Sequence, residues 1–287
     1  MRRAVEPLTR ILVPLDFSEV SSPLVEVAAR LSKKYSAEIV LFHAIEESVV
    51  EHVIAGYNVS LVVSDLVEEA RRKLEKYKAL AEGLGARVSI YSDIPVADPA
   101  AAIASVAHEI RASEVLLANK GWGIKRLLSL GSTSRLVVKL AETPVIIIKG
   151  IHEGDTVKLL IRGDLFGSIL YAITRNYREE ALDYVSELAA KTNSRLIIVH
   201  IREDDMKTDF LSDVERKLSY RGIEVEKIDV SGKPHSVILT YASASNVNSI
   251  FMERSVHEGI KSLFLGSTLD RVLNSSEIPV IVYPHRR

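Results

Sequence analysis

The sequence predicts an α/β protein of two tandem, doubly wound units, each on a parallel five-stranded sheet, related by a pseudo-twofold. Three observations carry this reading. Short β-rich runs alternate with segments of helical period along the chain. Runs such as "EIVLFHAI" (38–45) are apolar on both faces, as strands of a parallel sheet covered by helices must be. The second half also repeats the landmarks of the first.

The elements follow in order. "RILVPLD" (10–16) reads as a buried strand. "SSPLVEVAARLSKKY" (21–35) is a helix with Leu24, Val27, Ala28 and Leu31 on one face. After the second strand, a long helix is expected over about 62–82, where "EEARRKLEKYKALAE" offers i,i+4 charge partners on a solvated face. "ARVSIYSD" (86–93) is a strand. "DPAAAIASVAHEI" (98–110) is a helix with Asp98 as cap and Pro99 in its first turn. "EVLLANK" (114–120), a glycine-punctuated loop, a helix from about Ser132 and the strand "PVIIIK" (144–149) complete a unit.

"SAEIVLFHA" (36–44) matches "NSRLIIVHI" (193–201), with His43 against His200 at an offset of 157. Pro99 and Pro234, Gly131 and Gly266, and Pro144 and Pro279 all share an offset of 135. The His-to-Gly spacing is 88 residues in the first half (43 to 131) and 66 in the second (200 to 266), so the helix at 208–221 should be the shorter. Carrying the offset of 157 back sets "ILYAITR" (169–175) against "LVPLDFS" (12–18) and Ile173 against Asp16. "VKLLIRGDLFG" (157–167) is then an extra strand or linker that could complete an edge of either sheet. "GIHEGD" (150–155) is the expected boundary between units 1–150 and 151–287.

Composition sets outer limits. The 287 residues hold 37 basic and 38 acidic side chains, a net charge of -1, which provides no footprint for nucleic acid or an anionic membrane. The absence of cysteine excludes disulfides and thiolate metal sites. Glutamine is missing too, and Lys, Arg and Glu supply the charge, a pattern of heat-adapted proteins. No signal-peptide core follows "MRRAVEPLTR", and no run nears the ~18 apolar residues of a membrane span. A cytoplasmic protein is expected.

The segment "KGWGIKRLLSLGSTSRL" (120–136) carries the chemistry. Glycine lets backbone N–H groups approach an anion, and Ser132 and Thr133 open a helix whose free N–H groups and dipole favour negative charge. The segment follows a strand's carboxyl end, where open α/β sheets bind ligands. GxxxxGK[ST] is absent, and GxGxxG fails at Arg126. No G-x-S-x-G, HExxH or paired-carboxylate arrangement is present. His43 and His200 read as core histidines, His108 as solvated, and "EDD" (203–205) as a loop rather than a metal site.

With "ILVPLDFSEVS", "IVLFHA" and the ending "TPVIIIK", this segment resembles the universal stress proteins, over most of both halves. The ATP-binding branch of that family carries Gly, two residues, Gly, nine residues, then Gly and Ser or Thr. Here Gly121 is followed by nine residues (122–130) and then Gly131-Ser132, while the first glycine of the pattern falls on Ala118. The resemblance implies an adenine nucleotide, ATP or a relative with or without Mg²⁺, against the ends of the first and second strands. Asp16 would bond the adenosine moiety, and the main chain at Ala44 would meet the base. Apart from the resemblance, Lys125 and Arg126 of the loop could screen the phosphates. The candidate set is Pro14, Leu15, Asp16, Ala44, Leu117, Ala118, Gly121, Gly131, Ser132, Thr133 and Ser134, with no catalytic and no metal-ligating residue among them. In the second half the glycine positions fall on Glu253 and Val256, so that unit is expected to be a degenerate, structural partner. Gly131-Ser132 has a plain alternative as a helix start with Ser132 as N-cap, and Asp16 has one as a helix cap. Three functions stay open: a nucleotide-binding signalling module with an unidentified protein partner, a structural or interaction protein, and a slow ATPase. The two units are expected to pair inside the chain, with a homodimer as a further option.

Overall fold

A computed structural model describes residues 6–48, 59–120, 130–154, 156–202, 209–254 and 265–285. In the N-terminal half the order is β1 (Arg10–Pro14), α1 (Ser21–Tyr35), β2 (Glu38–Phe42), α2 (Val59–Gly83), β3 (Arg87–Ile90), α3 (Pro99–Glu109), β4 (Glu114–Lys120), α4 (Ser132–Leu140) and β5 (Val145–Glu153). A short β6 (Thr156–Leu159) follows. The C-terminal half runs β7 (Ser168–Ile173), α5 (Glu179–Thr192), β8 (Arg195–Arg202), α6 (Phe210–Tyr220), β9 (Val225–Ser231), α7 (Pro234–Ala244), β10 (Ser249–Glu253), α8 (Ser267–Ser275) and β11 (Val280–Tyr283).

All strands share one sheet, ordered β3-β2-β1-β4-β5-β11-β10-β7-β8-β9. Each half is parallel within itself. The halves meet where β5 and β11 run antiparallel, with Val145, Ile146 and Ile147 opposite Val282, Ile281 and Val280. Residues 135 apart exchange places across this seam, so a pseudo-twofold passes between Ile146 and Ile281. β6 completes neither outer edge. It folds back on β5 through Gly154, whose φ of 64° suits the tight turn, and pairs Glu153 with Thr156.

The repeat is physical. α3 and α7, and α4 and α8, match residue for residue at an offset of 135. α1 and α5 end at Ser36 and Asn193, 157 apart and both left-handed at φ 59° and 52°. The first strands differ from the sequence alignment by one residue. Ser113 N bonds Arg10 O, and its equivalent Asn248 N bonds Ser168 O, so β1 and β7 are offset by 158. The register pairs Ile11 with Ile169 and Leu12 with Leu170. Asp16 therefore answers to Thr174, not Ile173, because α5 is one residue shorter than α1. α2 spans 25 residues and α6 only 11, as the spacing required. Asp98 caps α3, its Oδ1 accepting from Ala101 N at 2.8 Å.

Candidate functional site

In an order of 3-2-1-4-5, the chain reverses its direction of winding between β1 and β4, and a crevice opens at their carboxyl ends. Here it opens early. β1 and β4 pair only at Ile11–Glu114 and Leu12–Val115. Pro14 supplies the reason. Leu15 N bonds Phe42 O of β2, while Arg10 O accepts from Ser113 beside β4. Even-numbered residues of β1 thus face β4, and at 14 the N–H that would continue the ladder does not exist. In the C-terminal half Ala172 stands at this position, and β7 and β10 stay paired through Ala172–Met252.

The crevice holds a cavity of about 460 Å³, within the range of roughly 300–1,000 Å³ usual for small-molecule sites. Its wall includes Pro14, Leu15 and Asp16 from the end of β1, Ala44 after β2, Leu117 and Ala118 of β4, and Thr133 and Ser134 of α4. Gly131 and Ser132 stand beside the cavity rather than in its wall. Gly121, Lys125 and Arg126 lie outside the described residues, as do Val256 and "EDD".

The start of α4 leaves its first amides, those of Ser132, Thr133 and Ser134, without intrahelical partners. Its cap position is Gly131, not Ser132, and no side chain caps the first turn. The amide of Gly131 is held by Asn119 Oδ1 at 3.0 Å. Gly131 has φ -58°, open to any residue, and a Cβ there would meet Asn119 Oδ1 at an ordinary 3.6 Å. Unusual backbone geometry is therefore not what Gly131 provides. Gly266 does need to be glycine, with φ 86°.

Asp16 is exposed at the cavity mouth. Its Oδ1 accepts from Ser18 N at 2.9 Å and Ser21 Oγ at 3.2 Å, anchoring the turn into α1. Sequence reasoning missed several neighbours. His43 lines the cavity, half-buried, and its Nδ1 donates to Leu15 O at 2.7 Å. That bond fixes the proton on Nδ1 and leaves Nε2 an acceptor. Burial holds the His43 pKa below its ordinary value, against the pull of the Leu15 bond. The Phe17 ring lies 4.2 Å from His43 by centroids, on a backbone at φ 58°, unusual for so bulky a residue. Glu69 and Lys73 of α2, paired at 2.7 Å, also reach the wall. They belong to the charge run read as solvated. Their spacing from Leu66 and from buried Ala70, at i+3, i+4 and i+7, was the available signal.

Glu253, equivalent to Ala118, accepts from Tyr171 Oη and from Arg178 N at 3.0 Å, so a carboxylate already serves the start of α5. Burial pushes Glu253 above the usual carboxylate range. His200 is buried as expected, its Nδ1 3.1 Å from Asp229 on the neighbouring strand. Among the described residues no group of three His, Cys, Asp or Glu gathers to hold a metal. Among them, too, no helix is long and apolar enough to cross a membrane.

Fold and site together define a tandem α/β protein with an open crevice at the switch point of its N-terminal half. The sequence model of the universal stress protein family matches residues 7–149 and 204–284, and the chain belongs to that family. A universal stress protein of Methanocaldococcus jannaschii is 30% identical over 141 residues, 49% of this chain and 81% of the relative. The crystal structure of a universal stress protein from Archaeoglobus fulgidus covers 95% of this chain and 97% of its own, at 26% identity and a TM-score of 0.78. A functionally unknown protein from Pseudomonas aeruginosa shares the fold at 12% identity and a TM-score of 0.64, covering 97% and 93%.

Proposed function

We propose that the N-terminal unit (1–150) binds ATP or a closely related adenine nucleotide, and that the unit at 151–287 is its structural partner, in a cytoplasmic signalling module. One observation supports this most. Eight of the eleven residues singled out in the sequence line a single cavity at the switch point. The base and ribose would lie between the end of β1 and Ala44, with Asp16 accepting a hydroxyl and His43 Nε2 available to a donor. The phosphates would face the uncapped start of α4, whose amides and dipole stabilise negative charge. Ala118, where the family pattern has glycine, lines the cavity and as a non-proline residue carries an N–H. The proposed role is binding, with hydrolysis left to be measured by phosphate release in the same titration.

The test is titration of nucleotide-free protein with ATP, read by calorimetry and by Trp122, the chain's single tryptophan. Saturable binding at or below millimolar ATP is expected. No binding at that concentration would remove the proposal and leave a structural or interaction protein.

A further inference from the structure

We propose that the C-terminal half positions the anion-binding end of α4 in trans, with Asn274 as the principal positioning residue and Asp270 and Arg254 as its supports. The inference rests on the nucleotide reading above and assigns part of that site to the half that does not hold it.

The argument starts at the cap. Because Gly131 has no side chain, the approach to α4 depends on acceptors from elsewhere. Two asparagines supply them to consecutive amides. Asn119 of the same half takes Gly131 N, and Asn274 of α8 takes Leu130 N at 2.7 Å. The amide of Asn274 cannot turn over freely, because its Nδ2 donates to Asp270 O at 2.8 Å and lies 3.3 Å from Asp270 Oδ2. Its backbone is pinned as well, with the buried Lys149 donating Nζ to Asn274 O at 3.2 Å. Asn274 Oδ1 is therefore a fixed acceptor.

The rest of α4 is gripped from the same side. Arg135, one residue beyond the cavity-lining Ser134, pairs with Asp270. Arg254, the residue after β10, donates to Val138 O at 2.6 Å, to Lys139 O and to Ala141 O at 3.2 Å, the carbonyls at the far end of α4. Start, middle and end of this nine-residue helix are all tied to the C-terminal half.

The support is not symmetric at the start of the helix. At an offset of 135 the equivalent of Asn274 is Lys139, which has no acceptor for the amide of Leu265. The equivalent of Arg254 is Asn119, which serves its own half. A pair of identical units could not make this arrangement. Divergence between the halves has left an acceptor and a guanidinium of the second aimed at α4 of the first.

The experiment compares the full chain with its Asn274→Ala variant. Hydrogen exchange without nucleotide reads the brace directly, and the Leu130 amide should exchange about fivefold faster or more. Calorimetry should show ATP affinity lowered about fivefold or more, while the thermal midpoint moves only about 2–4 °C. If Asn274→Ala does not fold, Asp270→Ala removes the acceptor for Arg135 and takes the same readouts across the first turn of α4. Unchanged exchange at these amides overturns the inference whatever the ligand. So does faster exchange with ATP affinity within about twofold of wild type. A wild-type chain that binds no ATP fails the nucleotide reading instead, and the exchange result still judges the brace.

Discussion

Gly131 and Gly266 occupy equivalent positions and do different things. Gly266 sits at φ 86°, where a side chain is strained, whereas Gly131 at φ -58° is not. Gly266→Ala should destabilise the chain by about 1–2 kcal/mol, and Gly131→Ala by no more than about 0.5 kcal/mol, as read by denaturant unfolding. If Gly131 serves the ligand, its variant should still bind ATP less tightly. Asp16 carries two roles that substitution can separate. Asp16→Asn keeps an oxygen for Ser18 N and should preserve stability, whereas Asp16→Ala should cost about 1 kcal/mol through the lost turn bonds. Both should weaken ATP binding if the carboxylate meets the ribose, and calorimetry on the two variants tests this.

At the scale of elements, one imino acid distinguishes the two β-ladders. Pro14 ends the β1–β4 ladder, and Ala172 lets β7 and β10 continue. In Pro14→Ala the new amide should bond toward β4 and become protected from hydrogen exchange. The crevice should narrow and ATP affinity fall, with the fold retained. An unprotected amide at position 14 would show that Pro14 does not set the opening. The length of α2 matters in the same way. Its 25 residues carry Glu69 and Lys73 over the cavity, whereas the 11 residues of α6 bring Phe210 against His200 at 4.9 Å between centroids.

At the scale of the whole molecule, the halves are bound by more than the β5–β11 seam. Glu114 of β4 is fully buried and accepts from Leu8 N at 2.9 Å, Ser113 Oγ at 2.6 Å and, from the other half, Tyr184 Oη at 2.6 Å. Tyr184→Phe removes one of these donors and should cost about 1–3 kcal/mol. Burial raises the Glu114 pKa in spite of its donors. The folded chain therefore holds this proton more tightly than the unfolded chain does. Its contribution is complete below the ordinary carboxylate pKa and is lost as pH rises through the raised value. Glu114→Gln should flatten that part of the stability–pH curve, measured by thermal unfolding between acid and neutral pH. Lys34 with Asp164, and Lys191 with Glu6 at 2.8 Å, tie each first helix to the segment leading into the other half's first strand. Ile146, 1% exposed at the pseudo-axis, is the sensitive point. Ile146→Asp should lower stability by more than about 3 kcal/mol and split the unfolding transition seen by calorimetry.

Residue order alone determined the α/β class, the repeat and the unequal helices, and it pointed to eight of the residues that line the cavity. Those features are periodic or local: apolar runs make buried strands, Asp98-Pro99 starts a helix, and an offset of 135 is countable. It also marked Glu253 as wrong for a phosphate, since a charge at a known position is legible without a fold. Other features depended on which strands lie side by side. The one-residue shift that sets Asp16 against Thr174 follows from ladder register, and the effect of Pro14 follows from which neighbour its missing N–H faces. His43 looked like a core residue until its Nδ1 was seen held by Leu15 at the cavity. Asn274 is 144 residues from Leu130 and gives no sign in the sequence that it acts there. Local propensity and periodicity are written along the chain. Bonds between distant residues are set only when the sheet closes across the seam, and that closure brought Asn274 to Leu130.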